Sequence, residues 1–273
     1  MRPLEEQTIL VTGSTAGLGK ELARELADRG ATVLVHGRSQ ARLDEVLAEL
    51  AQATGSDRLV PCLADLSSLA EVRALADHVQ ERSRLDALVN NAGVGLTERA
   101  ESKDGYELTF AVNYLAPFVL TTRLLPLMRR SSPARVVNVA SIGQAPVDFD
   151  NVMLEHGYDM AAAYSQSKLA MIAFTFELAE RLRNEREPGV TVNALHPATL
   201  MPTKLVFETF GRTVDSLEQG VAATLRLVID PALDGVSGKY FDGLREAVAN
   251  PQAYDRDARR RLWELSEDLS APR

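Results

Sequence analysis

The chain has 273 residues, 45% hydrophobic and 25% charged, with 17 Gly and 12 Pro, a composition that excludes the disordered, collagen-like and low-complexity classes. A formal charge of −8 argues against a nucleic-acid surface, which carries clustered Lys and Arg, and the single cysteine, Cys62, excludes an internal disulfide or a multi-thiolate metal site. No run approaches the roughly 18 uninterrupted apolar residues of a spanning helix, and the start, Met-Arg-Pro-Leu-Glu-Glu-Gln, is too short and too charged to target a membrane, so a cytoplasmic protein is expected.

Thr8 to Thr12 reads Thr-Ile-Leu-Val-Thr, a β-branched apolar run bounded by Gly13 that predicts a buried strand. A helix follows, with Leu18, Leu22 and Leu26 at four-residue spacing, Ala23 and Ala27 beside them, and Gly30 as its stop. Ala31 to Val35 predicts a second strand, and Ser39 can cap a helix carrying Leu43, Val46, Leu47 and Leu50 on one side. Leu59 to Leu63 is the third strand and Leu85 to Val89 the fourth; between them Ser68-Leu69-Ala70-Glu71 has the capping-box spacing that opens a third helix. The apolar segment from Tyr106 to Met128 predicts a helix that Pro117 and Pro126 should kink or end. Arg135 to Val139 is the fifth strand, Ala161 to Glu185 a strong helix pattern, Val190 to Leu195 the sixth strand after a Pro188-Gly189 turn, and Lys239 to Phe241 the seventh. Arg259-Arg260-Arg261, in an acidic tail, reads as a solvated helix face.

Strands alternating with helices require crossover connections, so the sheet should be largely parallel and covered on both faces, a Rossmann-type doubly wound α/β fold of seven strands. No linker, composition shift or repeat marks a second domain; residues 1–273 are expected to form one unit, with 243–273 a C-terminal extension.

Thr12-Gly13-Ser14-Thr15-Ala16-Gly17-Leu18-Gly19 lies between the first strand and first helix, where a doubly wound sheet puts its nucleotide-binding turn. Glycines permit a tight turn and a close approach to phosphate, and the helix N-terminus offers unpaired N–H groups, which points to pyrophosphate. The G-x-x-x-G-x-G spacing differs from the general G-x-G-x-x-G fingerprint and lacks a P-loop's Lys-Ser/Thr ending; alone, it also fits a plain strand–helix turn. An Asp or Glu at the end of the second strand would accept hydrogen bonds from the ribose of NAD, but the chain reads Val35-His36-Gly37-Arg38-Ser39. A guanidinium suits a phosphate dianion, so Arg38, with Ser39 as a second donor, points to NADP(H) over NAD(H).

Tyr164 and Lys168 stand at i and i+4, on one helix face. A phenol with a pKa of about 10 is a poor acid–base group at neutral pH, and a neighbouring ammonium lowers that value, so Tyr164 could protonate a carbonyl oxygen or deprotonate an alcohol. The pair by itself is weak evidence, since many helices carry it as surface or packing residues.

Thr12-Gly13 with Gly17-Leu18-Gly19, Asp65-Leu66, Asn90-Asn91-Ala92-Gly93, Asn113, Ser141 and Tyr164 with Lys168 occur in one order, and the sequence so marked resembles the short-chain dehydrogenase/reductase family from about Gln7 onward. The resemblance implies that Ser141 hydrogen-bonds the substrate oxygen, Tyr164 is the general acid or base, Lys168 binds the nicotinamide ribose and lowers the Tyr164 pKa, and Asn113 positions a water in a proton relay. It further implies cofactor contacts from Gly13, Ser14, Thr15, Gly17, Leu18 and Gly19, from Asp65 and Leu66 at the adenine, and from Asn91, Ala92 and Gly93 beside the adenosine ribose, with Asn90 tying strands together. After the sixth strand, Pro197, Thr199 and Thr203 are implied contacts, Ala198 replaces the family's usual glycine, and His196 is structural.

The loop from Gly143 to Tyr158 should shape the substrate site, with Gln144, Pro146, Asp148, Phe149 and Met153 near substrate. Ser237-Gly238-Lys239-Tyr240-Phe241 and the segment from Arg259 to Ser266 look like the retinol-dehydrogenase-like branch, whose membrane-bound members carry an N-terminal anchor that this chain does not show. The expectation is a soluble NADPH-dependent carbonyl reductase that needs no metal. The alternatives are an NAD-dependent alcohol or retinol-type dehydrogenase and a catalytically silent NADP-binding regulator. Resemblance also implies a homodimer or homotetramer through the long central helices, with the tail placed to block one such interface.

Overall fold

The computed structural model describes residues 1–185, 189–202, 206 and 211–271. Their strands are β1 (Thr8–Val11), β2 (Thr32–Gly37), β3 (Leu59–Leu63), β4 (Ala87–Asn90), β5 (Ala134–Val139), β6 (Val190–His196), β7 (Tyr240–Asp242) and β8 (Arg245–Glu246), in one sheet of order β3-β2-β1-β4-β5-β6-β7-β8. The first seven pair in parallel; β8 is antiparallel to β7, an eighth strand where seven were expected. It forms because Gly243, at φ 54°, lets the chain reverse over two residues, and at two residues it is too short to show a period.

Alternation along the strands sorts the core. Ile9, Val11, Val33 and Val35 face one layer with α1 (Gly17–Asp28), α2 (Gln40–Thr54) and the helix Leu217–Ile229, while Leu10, Leu34, Leu88 and Val136 face a second layer. The second layer holds α3 (Leu69–Gln80), α4 (Leu108–Arg130), α5 (Met160–Asn184) and, numbering Leu217–Ile229 as α6, the last helix α7 (Arg256–Ser270). The chain winds outward from β1 to β3 and then returns to β4, so a crevice opens between β1 and β4 at the C-terminal strand ends.

α4 runs past both prolines. Its Ala111–Leu115 segment is a π turn, and Pro117 lies just beyond it, where the widened spiral accommodates the N–H that Pro117 cannot give to the Asn113 carbonyl. Pro126 removes one further bond, and the helix continues on the packing of Leu124, Leu125, Leu127 and Met128. By length and composition α4 could cross a membrane, but 83% of its most apolar window is buried inside the protein. At the start of α3 only half of the capping box forms: Ser68 accepts from the Glu71 amide at 3.3 Å, while the Glu71 carboxylate turns to the Asp65 amide and Lys103.

α7 lies on α4 and α5. Trp263 meets Phe118 at 5.1 Å and Phe174 at 5.9 Å between ring centroids, with the Arg181 guanidinium 4.0 Å over its ring. The end of the helix is tied by Tyr114 to Ser266, Tyr106 to the Leu269 carbonyl and Arg73 to the Ser270 carbonyl. Arg260 and Arg261 are solvated as expected, but Arg259 is buried, because its guanidinium reaches Glu180 at 2.7 Å and Glu177 at 3.5 Å on α5.

Candidate active site

The turn after β1 is shaped by backbone necessity. Gly13 has φ 64° and Gly17 φ 52°, a Cβ on Gly13 would lie 2.9 Å from the Ala92 Cα, and one on Gly19 would lie 2.4 Å from the Gly13 carbonyl oxygen. Asn91 donates from its side chain to the carbonyls of Thr12 (2.8 Å) and Gly13 (3.3 Å), and the Thr12 hydroxyl accepts from the Asn91 and Ala92 amides. Thr12 was not singled out as a site residue, yet it binds the Asn-Ala-Gly segment to the turn. Ser14 does not face a ligand: its hydroxyl donates to the Val11 carbonyl and accepts from the His36 amide, and its own amide donates to the His36 carbonyl. Thr15 packs its methyl under Gly37, where a Cβ would come within 2.5 Å.

The helix starts divide into two kinds. α3, α5, α6 and α7 begin with side-chain caps from Ser68, Asp159, Ser216 and Asp255. α1 and α2 have no side-chain cap and no acid in the first turn, so their leading amides remain available to an anion. Arg38 and Ser39 stand exposed at the start of α2. Below them Leu66 is buried and Asp65 is held by the Ser67 amide and by Lys103 at 3.3 Å; burial opposes the Asp65 charge, but these partners keep its pKa below the usual range.

The reacting side chains come from the ends of β5 and α5. Ser141 follows β5 and accepts from the Gly143 amide at 3.1 Å. Lys168 is buried, with Nζ donating to the Val139 carbonyl at 2.9 Å and lying 5.5 Å from the centroid of the Tyr164 ring. Burial lowers its pKa to about 8. Tyr164 departs from expectation: burial raises its pKa, and the opposing pull comes from the Ser141 hydroxyl, because the Lys168 ammonium is itself desolvated and bound to Val139 over the ring face. Asn113 sits in the π turn, where its side chain accepts from the Val94 amide (2.7 Å) and donates to the Val94 carbonyl (2.9 Å) and to Ser167 (3.0 Å). The Asn113 amide group is thus fully engaged within the protein. Gly93 separates the two halves, since a Cβ there would lie 3.4 Å from both Asn113 Oδ1 and Lys168 Nζ. Asn90 ties strands as expected, donating to Asn138 at 2.8 Å and Thr121 at 3.0 Å.

Beyond β6, the His196 ring pairs with the Thr199 hydroxyl at 3.1 Å, and the Thr199 amide donates to Asp215 at 2.6 Å. Thr199 and Pro197 thus follow the C-terminal end of β6, and Thr203 lies outside the described residues. In the loop before α5, the expected substrate-side residues also make contacts within the protein. Gln144 joins the Ser141 carbonyl (3.0 Å) to the Asn250 amide (2.8 Å), Phe149 packs against the core beneath the Arg261 guanidinium at 4.6 Å, and Met153 packs inward. These residues are used to hold the loop. Gln144 also lines, with Tyr240 and Asp242, a cleft of about 320 Å³ whose most exposed apolar side chains are Ile142, 59% exposed, and Val248, 85% exposed.

Comparison with known proteins places the whole chain among relatives of one kind. Retinol dehydrogenase 13 of Mus musculus is 37% identical over 282 residues, covering 96% of this chain and 83% of that protein. An uncharacterized protein from Mycobacterium paratuberculosis superposes with a TM-score of 0.78 at 30% identity, over 97% of this chain and 93% of its own. Pseudomonas aeruginosa RhlG, solved as an NADP active-site complex, superposes with a TM-score of 0.70 at 27% identity, over 89% and 97%. The family model described as short chain dehydrogenase matches residues 7–210, and the chain belongs to that oxidoreductase family, whose members use NAD(P)(H).

Proposed function

We propose that the chain is an NADP(H)-dependent carbonyl reductase. The observation that carries the cofactor choice is the end of β2. No Asp or Glu follows the strand, Arg38 has no acidic partner among the described residues, and α2 opens with uncapped amides. A 2′-phosphate would meet a cation and free N–H groups there. The glycine turn fits the rest of a dinucleotide, because it leads into α1, which opens with no side-chain cap and no acid in its first turn and so offers free amides to pyrophosphate. Gly13, Thr15, Gly17, Leu18 and Gly19 would cradle the pyrophosphate, Asp65 and Leu66 the adenine, Asn91, Ala92 and Gly93 the adenosine ribose, Tyr164 and Lys168 the nicotinamide ribose, and Pro197 and Thr199 the nicotinamide side.

When bound, NADPH supplies the hydride. Tyr164 donates its proton to the carbonyl oxygen, and the Ser141 hydroxyl orients that oxygen. Burial keeps Tyr164 protonated, which favours reduction, and the Ser141 hydroxyl supplies the pull that stabilises the phenolate left behind. The likeness to retinol dehydrogenases supports a second reading, oxidation of an apolar alcohol, and Ile142 and Val248 would suit such a substrate. On either reading the protein is cytoplasmic, takes a small carbonyl or alcohol, and associates with further copies through faces other than the α4–α5 surface that α7 covers. Steady-state kinetics with NADPH and NADH, over a panel of ketones, aldehydes and secondary alcohols, tests this. Turnover of carbonyls with NADPH preferred is expected. Preference for NADH, or binding of cofactor without turnover of any substrate, overturns it.

A further inference from the structure

His36 is buried in the last turn of sheet before the Arg38 corner, and no step of the chemistry uses it. Its ring nevertheless joins two parts of the nucleotide crevice. The Gly13 amide donates to Nδ1 at 2.9 Å, which leaves the proton on Nε2, and Nε2 faces the Ala64 carbonyl at 3.1 Å. Gly13 is the left-handed glycine that starts the phosphate turn, and Ala64 immediately precedes Asp65 and Leu66. The main chain of His36 grips Ser14 as well, donating to its hydroxyl at 2.8 Å and accepting from its amide at 2.9 Å. One step on, Gly37 accepts from the Ala64 amide at 3.1 Å and packs on Thr15. The residues on either side of Arg38's corner therefore cannot shift without moving His36.

We propose that His36 is a positioning residue for the dinucleotide: its neutral, Nε2-protonated ring holds the phosphate turn, the Arg38 corner and the adenine wall at fixed spacing, so that cofactor affinity rather than the chemical step depends on it. The proposal rests on the reading that the chain binds NADP(H). The Gly13 N–H is consumed by the ring, so that glycine acts as the fixed end of the cradle and not as a phosphate donor. Burial lowers the His36 pKa to about 4, against the attraction of Asp65, which keeps Nδ1 an acceptor at neutral pH.

The two ring nitrogens can be mimicked separately. The amide of His36→Asn reaches the Nδ1 position and can still accept from Gly13, whereas that of His36→Gln reaches the Nε2 position toward Ala64. Isothermal titration of wild type, His36→Asn, His36→Gln and His36→Ala with NADP⁺ and with ADP-ribose, beside apo melting temperatures and kcat and KM for NADPH, separates positioning from stability. Asparagine and glutamine, each keeping one of the two ring contacts, are expected to weaken both ligands by about threefold to tenfold and alanine by more, the loss appearing in KM and not in kcat, as loss of a buried hydrogen-bond partner implies. If alanine does not fold, the losses in asparagine and glutamine give the same answer. Wild-type affinity in variants that merely melt earlier, or a loss confined to kcat, overturns the proposal. A wild-type protein that binds neither ligand overturns the cofactor reading itself.

Discussion

Replacing Arg38 with Ala should change cofactor choice without touching the reacting groups. Arg38 is exposed, lacks an acidic partner among the described residues and stands where α2 begins without a cap. A hydrogen bond to a charged group contributes about 1.5–3 kcal/mol, and solvent exposure puts Arg38 in the lower half of that range. The uncapped amides stay in place in the variant and continue to supply the roughly 0.3–1 kcal/mol of a helix N-terminus. The expected loss is about 2 kcal/mol, or some thirtyfold in the NADPH dissociation constant, with NADH changed by less than about twofold. Calorimetric titration of both cofactors, at physiological and at raised salt, measures it; because the site is exposed, salt should erode the wild-type preference and leave the variant flat. Equal weakening of both cofactors, or no change in either, would refute a phosphate site at Arg38.

Tyr164→Phe should lower kcat by about 10²–10⁴-fold while the NADPH dissociation constant stays within about threefold; turnover near wild type would remove the acid from Tyr164. Lys168→Met should abolish activity yet raise stability. The folded-state pKa is about 8 against 10.5 for a free lysine, so at pH 7 folding buries a charge at a cost of about 3 kcal/mol, offset by about 1–2 kcal/mol for the lost bond to Val139. The net gain of about 1–2 kcal/mol should shrink as pH rises from 8 to 10.5, where the unfolded lysine also loses its proton; thermal melts across that range check the sign, and a destabilised variant at pH 7 contradicts it. Trp263→Ala should cost about 3–5 kcal/mol in urea unfolding, because the ring fills the space between Phe118, Phe174 and Arg181; a loss below about 1 kcal/mol would mean that α7 is only loosely attached.

The parallel sheet was legible because β-branched runs such as Thr8 to Thr12 and leucines at four-residue spacing leave periodic signals. The glycine turn was legible because its backbone admits little else. Less visible was anything made by residues far apart in sequence. The bond that Gln144 accepts from Asn250, more than a hundred residues away, leaves no mark in the local sequence. Val248 faces Ile142 only because β7 and β8 bring it there. Ser14 was assigned outward by its place in the motif, whereas His36 and Val11 take up its donors. The π turn had one cue, Pro117 four residues after Asn113, but proline spacing alone does not separate a kink from a widened turn.

That widened turn divides α4 into two independently phased stretches. A π turn holds one residue more than the α-helix needs, so the part before it and the part after it are offset by about 100°. Within the turn, Asn113 meets Val94 and Ser167; downstream, the shifted phase aims Thr121 at Asn90 and Phe118 at Trp263. Deleting a single residue between 111 and 115 would leave the helix regular and rotate one set of addresses away from its targets. The extra residue thus lets a straight rod serve two registers at once, one written for the crevice and the other for the core, and lets each drift without dragging the other along.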